Sequence, residues 1–204
     1  MKIIVDGQPW GGAEWASRPS LDAYREVVGR EFGRGRTVVT VLFDGLEASP
    51  EEQERMLAGE RLDVESMEFR TMSTEDLVRG TLDELGRHFA PLREALEATS
   101  RWLAEGERRR ALDAFRPSLD LWLGLCETVQ RVCVLMLVDV GTPIGATSVL
   151  EAHEKIAASL AEVQACFETQ DWTRLASVIS GGMLASVDEW EAIVKSLRER
   201  VSPA

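Results

Sequence analysis

Five side chains in this 204-residue sequence are of types that transfer protons or attack carbonyls near neutral pH: His88, His153, Cys126, Cys133 and Cys166. A carboxylate-bridged metal pair in a helical protein needs Glu-x-x-His on two helices, so that both ligands face inward one turn apart. Here Leu85 and Leu150 stand three positions before the two histidines. No metal site and no cofactor are therefore expected, and a histidine on an apolar seam reads as a hydrogen-bonded core or interface residue. The cysteines are odd in number and sit in apolar segments without the short paired spacing of a zinc site or redox dithiol. Cys126 and Cys133 would share a helix face roughly 10 Å apart, too far for a disulfide. They read as reduced core residues. No spacing pairs a serine or cysteine with a histidine, so no nucleophilic catalysis is expected.

Phosphate chemistry finds no better footing. Gly33-Arg34-Gly35-Arg36 follows a helical segment and precedes a strand, the reverse of the dinucleotide-binding order. The glycines between Gly141 and Ser148 lack the lysine of a P-loop. The run Arg108-Arg109-Arg110 reads as a solvated turn or as a contact for an acidic partner. The chain is 45% hydrophobic and 28% charged, with a net charge of −12. The acidic excess is spread over both parts, 14 acids against nine bases in 1–72 and 21 against 14 in 73–204. That argues against nucleic acid or an anionic membrane as partner. The apolar run Val132–Val138 is far short of the roughly 20 residues that span a bilayer. Met1–Asp6 has no signal-peptide pattern, and with free thiols the cytoplasm is the expected compartment.

The elements that position these residues fall into two groups, giving an α+β chain with domains at 1–72 and 73–204. In the first, Lys2–Val5 reads as a strand, followed by a glycine-rich turn region and a weak strand around 13–16. Trp10 and Trp15 in that stretch read as satellite core or as exposed anchors. Ser20 is a candidate cap for a helix through Phe32, stopped by Gly33 and Gly35. Thr37–Phe43 is a strand ending at the turn pair Asp44-Gly45. Ser49-Pro50-Glu51-Glu52 starts a short helix to Leu57, and residues 64–71 form a half-buried strand with Met67 and Phe69 on its inner face. This order is β-grasp-like, a small mixed α/β unit.

The remainder is helical in period and predicts an antiparallel four-helix bundle. A first seam runs Val78, Leu82, Leu85, Phe89, Leu92, Leu96, Thr99 and Leu103 in unbroken alternation of four and three, with Pro91 as a kink site. A second runs Leu112, Phe115, Leu119, Trp122, Cys126, Val129, Cys133, Met136 and Val140, and Pro117 is placed to split off its first turns. Thr147 or Ser148 caps a third helix with Val149, His153, Ile156, Leu160, Val163 and Phe167 on its seam. Asp171 caps the fourth, whose seam Trp172, Leu175, Ile179, Trp190, Val194, Leu197 and Val201 slips by one residue across Gly181-Gly182. Those glycines read as a helix break, a hinge or a close backbone approach. Ser202-Pro203-Ala204 is expected to fray.

The second helix is apolar nearly all round from Leu119 to Val140, with Asp120, Glu127, Arg131 and Asp139 as its only charges. A bundle helix buries one stripe, so something further must cover it: the sheet unit, a second copy, or a partner helix. Leu121, Trp122, Leu125, Val132, Leu135 and Val138 are the candidate partner-binding residues.

The stretch Asp171-Trp172-Thr173-Arg174-Leu175-Ala176-Ser177-Val178-Ile179 followed by Trp190 resembles uncharacterised bacterial helical-bundle proteins and, more distantly, the flagellin-export chaperone family. That resemblance implies a small helical bundle without catalysis that clamps a helical segment of an export substrate. The chain departs from the family in its added 72 residues and in the Gly181-Gly182 interruption. The reading that emerges is a non-catalytic protein-binding module, chaperone- or adaptor-like, taking a helical segment or a second copy. The alternatives are a small-ligand binder or enzyme with a cleft between the two units, using His153 or His88 as acid or base, and a self-associating structural protein.

Overall fold

A computed structural model describes residues 1–12, 15, 19–60 and 62–201. The chain is α+β and divides into two compact units, Met1–Leu77 and Val78–Ala204. The division falls inside the first turn of the third helix rather than before it. The reason is local: the Thr74 amide donates to the Gly35 carbonyl at 2.8 Å, and the Thr37 and Thr74 hydroxyls lie 2.8 Å apart, tying that turn to the sheet.

The first unit is a five-stranded sheet with one long helix and one short one. Its elements are β1 (Lys2–Val5), β2 (Gln8–Pro9), α1 (Ser20–Phe32), β3 (Arg36–Phe43), β4 (Leu46–Glu47), α2 (Pro50–Leu57) and β5 (Ser66–Ser73). The strand order is β2-β1-β5-β3-β4, with β1 parallel to β5 and every other pair antiparallel. First and last strands paired side by side at the centre, with a helix between two hairpins in the chain, is the β-grasp arrangement. Two Asp-Gly turns make the hairpins: Asp6-Gly7 and Asp44-Gly45 have positive φ at both positions, 49° and 76°, then 50° and 83°. Such turns match the twist of the flanking strands. The second strand is thus Gln8–Pro9, directly after the first turn. The expected strand at 13–16 falls on Ala13, Glu14 and Ala16, which lie outside the described residues, as do Ser202, Pro203 and Ala204. Ser20 is not the cap of α1; Pro19 holds that position, and the Ser20 hydroxyl is buried 3.9 Å from the Met1 sulfur. Ser49 does cap α2, in a reciprocal box with Glu52. Met67 and Phe69 point into a core with Ile3, Val27 and Phe43, and Trp15 joins it, stacked at a tilt 5.4 Å from half-buried Trp10.

Each hairpin aspartate also clamps one end of β5. Asp44 Oδ1 accepts from the Ser66 amide at 2.7 Å, and Asp6 accepts from the Thr71 amide (2.7 Å), the Thr71 hydroxyl (2.6 Å) and Arg36 (2.9 Å). Burial raises the Asp6 pKa, but these hydrogen bonds outweigh it and hold the carboxyl below its ordinary value of 3.8. A depressed carboxylate contributes stability that is present above the unfolded value and lost as pH falls through the folded one. Asp6→Asn should therefore cost about 1 kcal/mol at neutral pH, solvent screening at this 40% exposed side chain being allowed for. The gap to wild type should close below the ordinary carboxylate range. Urea midpoints at neutral and acid pH measure it, and a gap that persists in acid would refute the clamp.

The second unit comprises α3 (Thr74–Ala104), α4 (Arg108–Leu135), a two-strand hairpin β6 (Pro143–Ile144) and β7 (Thr147–Ser148), α5 (Val149–Thr169), α6 (Trp172–Val178) and α7 (Leu184–Val201). α3 runs antiparallel to α7: Arg93 bridges Asp188 and Glu191 at 2.7 and 2.8 Å, and Arg198 reaches back to Asp83 at 2.7 Å. α5 runs antiparallel to α6 and α7, through Glu162 with Arg174 and Lys155 with Glu189. Pro91 and Pro117 lie inside unbroken helices, so Pro117 splits nothing off. All eight seam residues of α3 are buried. In α4 the buried line is instead Ala111, Phe115, Ser118, Trp122, Leu125, Val129 and Val132 with Cys133. Leu112, Leu119, Cys126 and Met136 sit on its half-buried flank, and the helix ends at Leu135, short of Val140. In α5, Ala152 and Cys166 are interior, whereas His153 and Leu160 are half-buried and Phe167 is exposed. Ser148 caps α5 in a box with Glu151.

α6 and α7 are joined by a π turn, Ile179–Met183, which contains Gly181 and Gly182. A π turn inserts one residue into the helical ladder, which is the one-residue slip of the apolar seam. The helix does not break.

Candidate functional site

A groove of about 330 Å³, mostly apolar, lies between α3 and α4 of the helical unit. Its floor is Leu85, Leu121 and Leu125, and Thr81, Glu84 and His88 stand along the α3 side, with Gly124 and Thr128 along α4. On each helix the lining positions run i, i+3, i+4, i+7, from Thr81 to His88 and from Leu121 to Thr128. That spacing turns two helical turns, roughly 10 Å, toward the same space.

Gly124 lines the groove on the α4 side. It lies in the middle of α4, where glycine costs about 1 kcal/mol relative to alanine. A Cβ built there meets nothing within 4 Å, so packing within the chain does not require the glycine. The Thr128 hydroxyl donates to the Gly124 carbonyl at 2.7 Å, so its proton is already engaged.

The six residues singled out from the sequence divide between interior and surface. Trp122, Leu125 and Val132 are 1–2% exposed. Trp122 and Val132 belong to the core and do not line the groove; their burial is set by the face that α4 turns to α7, where Trp122 meets Trp190 edge-on at 6.2 Å. Leu125 is also core, but its side chain floors the groove, and half-buried Leu121 lies beside it. Leu135 and Val138 are half-buried against the core at the end of α4 and beyond it. Gly124, Thr128, Thr81 and Glu84 were not singled out. An unpaid-for glycine three positions after Leu121 was the signal for the first, and the hydroxyl seven positions after Leu121 for the second.

The reactive side chains are not assembled. His88 lines the groove wall, while His153 is on α5 and does not line it. Burial pushes the Cys126 thiol up to about 11, and burial likewise raises Cys133, so neither is a thiolate at neutral pH. Among the described residues no three His, Cys, Asp or Glu side chains are grouped to hold a metal ion, and no helix is long and apolar enough to cross a membrane. Two of the three arginines in the basic run lie over rings of the same chain: Arg108 is 5.4 Å from the Trp172 centroid and Arg110 4.4 Å from that of Trp102. The groove therefore offers burial of apolar side chains, with hydroxyl, carboxylate and imidazole groups at its edge.

No model of a known protein family, no curated protein and no solved structure matches the chain.

Proposed function

We propose that this chain is a non-catalytic, cytoplasmic protein-binding module of adaptor or chaperone type, whose helical unit, read as an antiparallel four-helix bundle, lays an amphipathic helix of a partner into the α3–α4 groove. The observation that carries the reading is Gly124, a destabilising residue that nothing inside the chain requires, on the wall of an apolar groove. Glycine at such a place lets another backbone approach closely. Each leucine-sized side chain buried on Leu85, Leu121 and Leu125 contributes about 1.5–3 kcal/mol, enough that two turns of helix would bind.

Gly124→Gln separates binding from folding. It should raise stability by about 0.5–1 kcal/mol, because glutamine is the better helix former and there is space for it. The same side chain fills the groove. Amphipathic helices selected from a display library against the wild-type chain should lose at least about tenfold in affinity for the variant. Selection of no helix, or of helices indifferent to the change, would sink the proposal.

A small-ligand reading is favoured only by His88, the one histidine on the groove wall. His88→Gln keeps size and polarity but removes the acid–base group, and selected helices should bind it within about threefold of wild type. The self-associating reading predicts a mass that falls on dilution in light scattering and that Gly124→Gln reduces to one chain.

A further inference from the structure

A second surface of the helical unit lies away from the groove and rests on a different observation, the backbone at the end of α4. Leu137 has φ of +54°. Its amide donates to the Val134 carbonyl at 3.1 Å and the Val138 amide to the Cys133 carbonyl at 2.9 Å, which makes Leu137 the left-handed residue that closes the helix. Glycine normally holds this position, since a side chain strains it. The chain itself uses glycine after α2 and α3, where Gly59 and Gly106 both have φ of +82°, and a polar residue, Gln170 at +54°, after α5. After α4 it has a leucine that is 79% exposed. The two amide bonds hold the turn, and the side chain itself gains nothing from burial within the chain.

The exposed residues near Leu137 in sequence include apolar and acidic ones. Val134, one turn earlier, is 69% exposed, and it shares a flank of α4 with exposed Leu123, eleven residues or about three turns before it. That flank is on the far side of α4 from Leu121 and Thr128, hence away from the groove. The segment after Leu137 is tied to the start of α5, where the Leu150 amide donates to the Val140 carbonyl at 3.0 Å and the Leu150 side chain is exposed. Asp139 follows Leu137 by two residues and Glu154 follows Leu150 by four; both are exposed, and among the described residues neither forms an ion pair. The Asp139 carboxylate accepts from the Gly141 amide at 2.8 Å. Of the nearby bases, Arg131 pairs with Glu127 and Lys155 with Glu189, and Arg200 donates to the Pro143 carbonyl at 3.4 Å.

We infer that the end of α4 and the start of α5 form a docking surface for a basic amphipathic segment of another protein, which sets a large apolar side chain against Leu137, Val134 and Leu150 and places lysine or arginine beside Asp139 and Glu154. Charge complementarity selects this occupant. A second copy would bring acid against acid at the rim, on a chain of net charge −12, and an anionic membrane is repelled for the same reason. Strained residues kept against local preference cluster where a partner is held. The inference does not depend on the α3–α4 groove.

The test uses the full chain and two labelled synthetic helices with the same leucine face, one flanked by lysines and the other by glutamates, read by fluorescence anisotropy. The lysine peptide should bind and the glutamate peptide should not. Leu137→Gly should raise the melting temperature, because the strain goes, and weaken the lysine peptide at least about tenfold, because the anchor goes. Asp139→Lys with Glu154→Lys should weaken it similarly, and Gly124→Gln should leave it unchanged. Four results would each overturn the inference: no binding of the lysine peptide, equal binding of both peptides, binding unaffected by Leu137→Gly, or a concentration-dependent dimer in sedimentation that Leu137→Gly dissolves. The groove proposal survives any of these, since it is tested by helix selection and Gly124→Gln.

Discussion

Trp190→Ala is expected to cost the helical unit about 4 kcal/mol, the middle of the range for removing a large aromatic from a packed interior. Trp190 is fully buried on α7 against Trp122 of α4, with Leu197, Val194 and Val187 on the same face. A loss of that size is comparable with the whole stability of many domains of this length. Trp190→Phe should cost much less than the difference in size suggests. The indole Nε1 of Trp190, like that of Trp122, is buried without a hydrogen-bond partner among the described residues, and an unmade bond of this kind carries a penalty of about 1–3 kcal/mol that phenylalanine removes. Urea unfolding followed by circular dichroism gives both values. A loss below about 1 kcal/mol for the alanine variant would place Trp190 outside the core.

Gly182→Val is the second large effect. A Cβ on Gly182 would stand 2.7 Å from the Ser159 hydroxyl oxygen and 3.7 Å from its Cβ. The π turn brings its backbone this close to α5, so a side chain there forces the Ser159 hydroxyl to rotate away or the two segments to part. Overpacking of this kind costs about 1–3 kcal/mol. Ser159→Ala removes the oxygen in question, so the double variant should recover about half of the loss, a coupling that independent sites would not show. Additive effects in the double-mutant cycle would mean that Gly182 and Ser159 do not touch, and the close-approach reading of Gly181-Gly182 would go with it.

What could be read in the residues depended on how many arrangements the pattern allowed. In α3 a single apolar stripe alternates with charge, so only one face can be buried, and all eight seam positions are interior. α4 carries apolar residues nearly all round, and several stripes satisfy the same period. The expected line through Leu112, Leu119 and Cys126 is displaced to a neighbouring one through Ala111, Ser118 and Leu125, which small residues allow to pack closely. The slip at Gly181-Gly182 was visible as a break in period, but whether it was a break, a hinge or an inserted residue depends on hydrogen bonds within the turn. Strands of two residues, such as β2, β4, β6 and β7, have no period to read. Only the turns that join them leave a mark, as Asp44-Gly45 does.

The candidate surfaces follow the same division. Leu121 and Leu125 were legible as apolar positions beyond the seam, and they line the groove. Gly124 needed the structure, since the sequence shows a glycine in a helix but not the empty space above it. Leu137 was hidden too, because the period continued to Val140 and nothing local announced that the helix closes at a leucine.

By itself, the sequence determined the α+β class, the mixed unit followed by long helices, the reduced cysteines inside apolar segments and the acidic character of the whole. These are properties of composition and of local period, which act within a turn or two of chain. Tertiary structure alone decided the strand order β2-β1-β5-β3-β4, which face of α4 is interior, and which apolar residues remain at the surface beside a groove or on a strained turn. Those depend on contacts between residues far apart in the chain, and burial of a side chain is settled by what it meets there rather than by its own type.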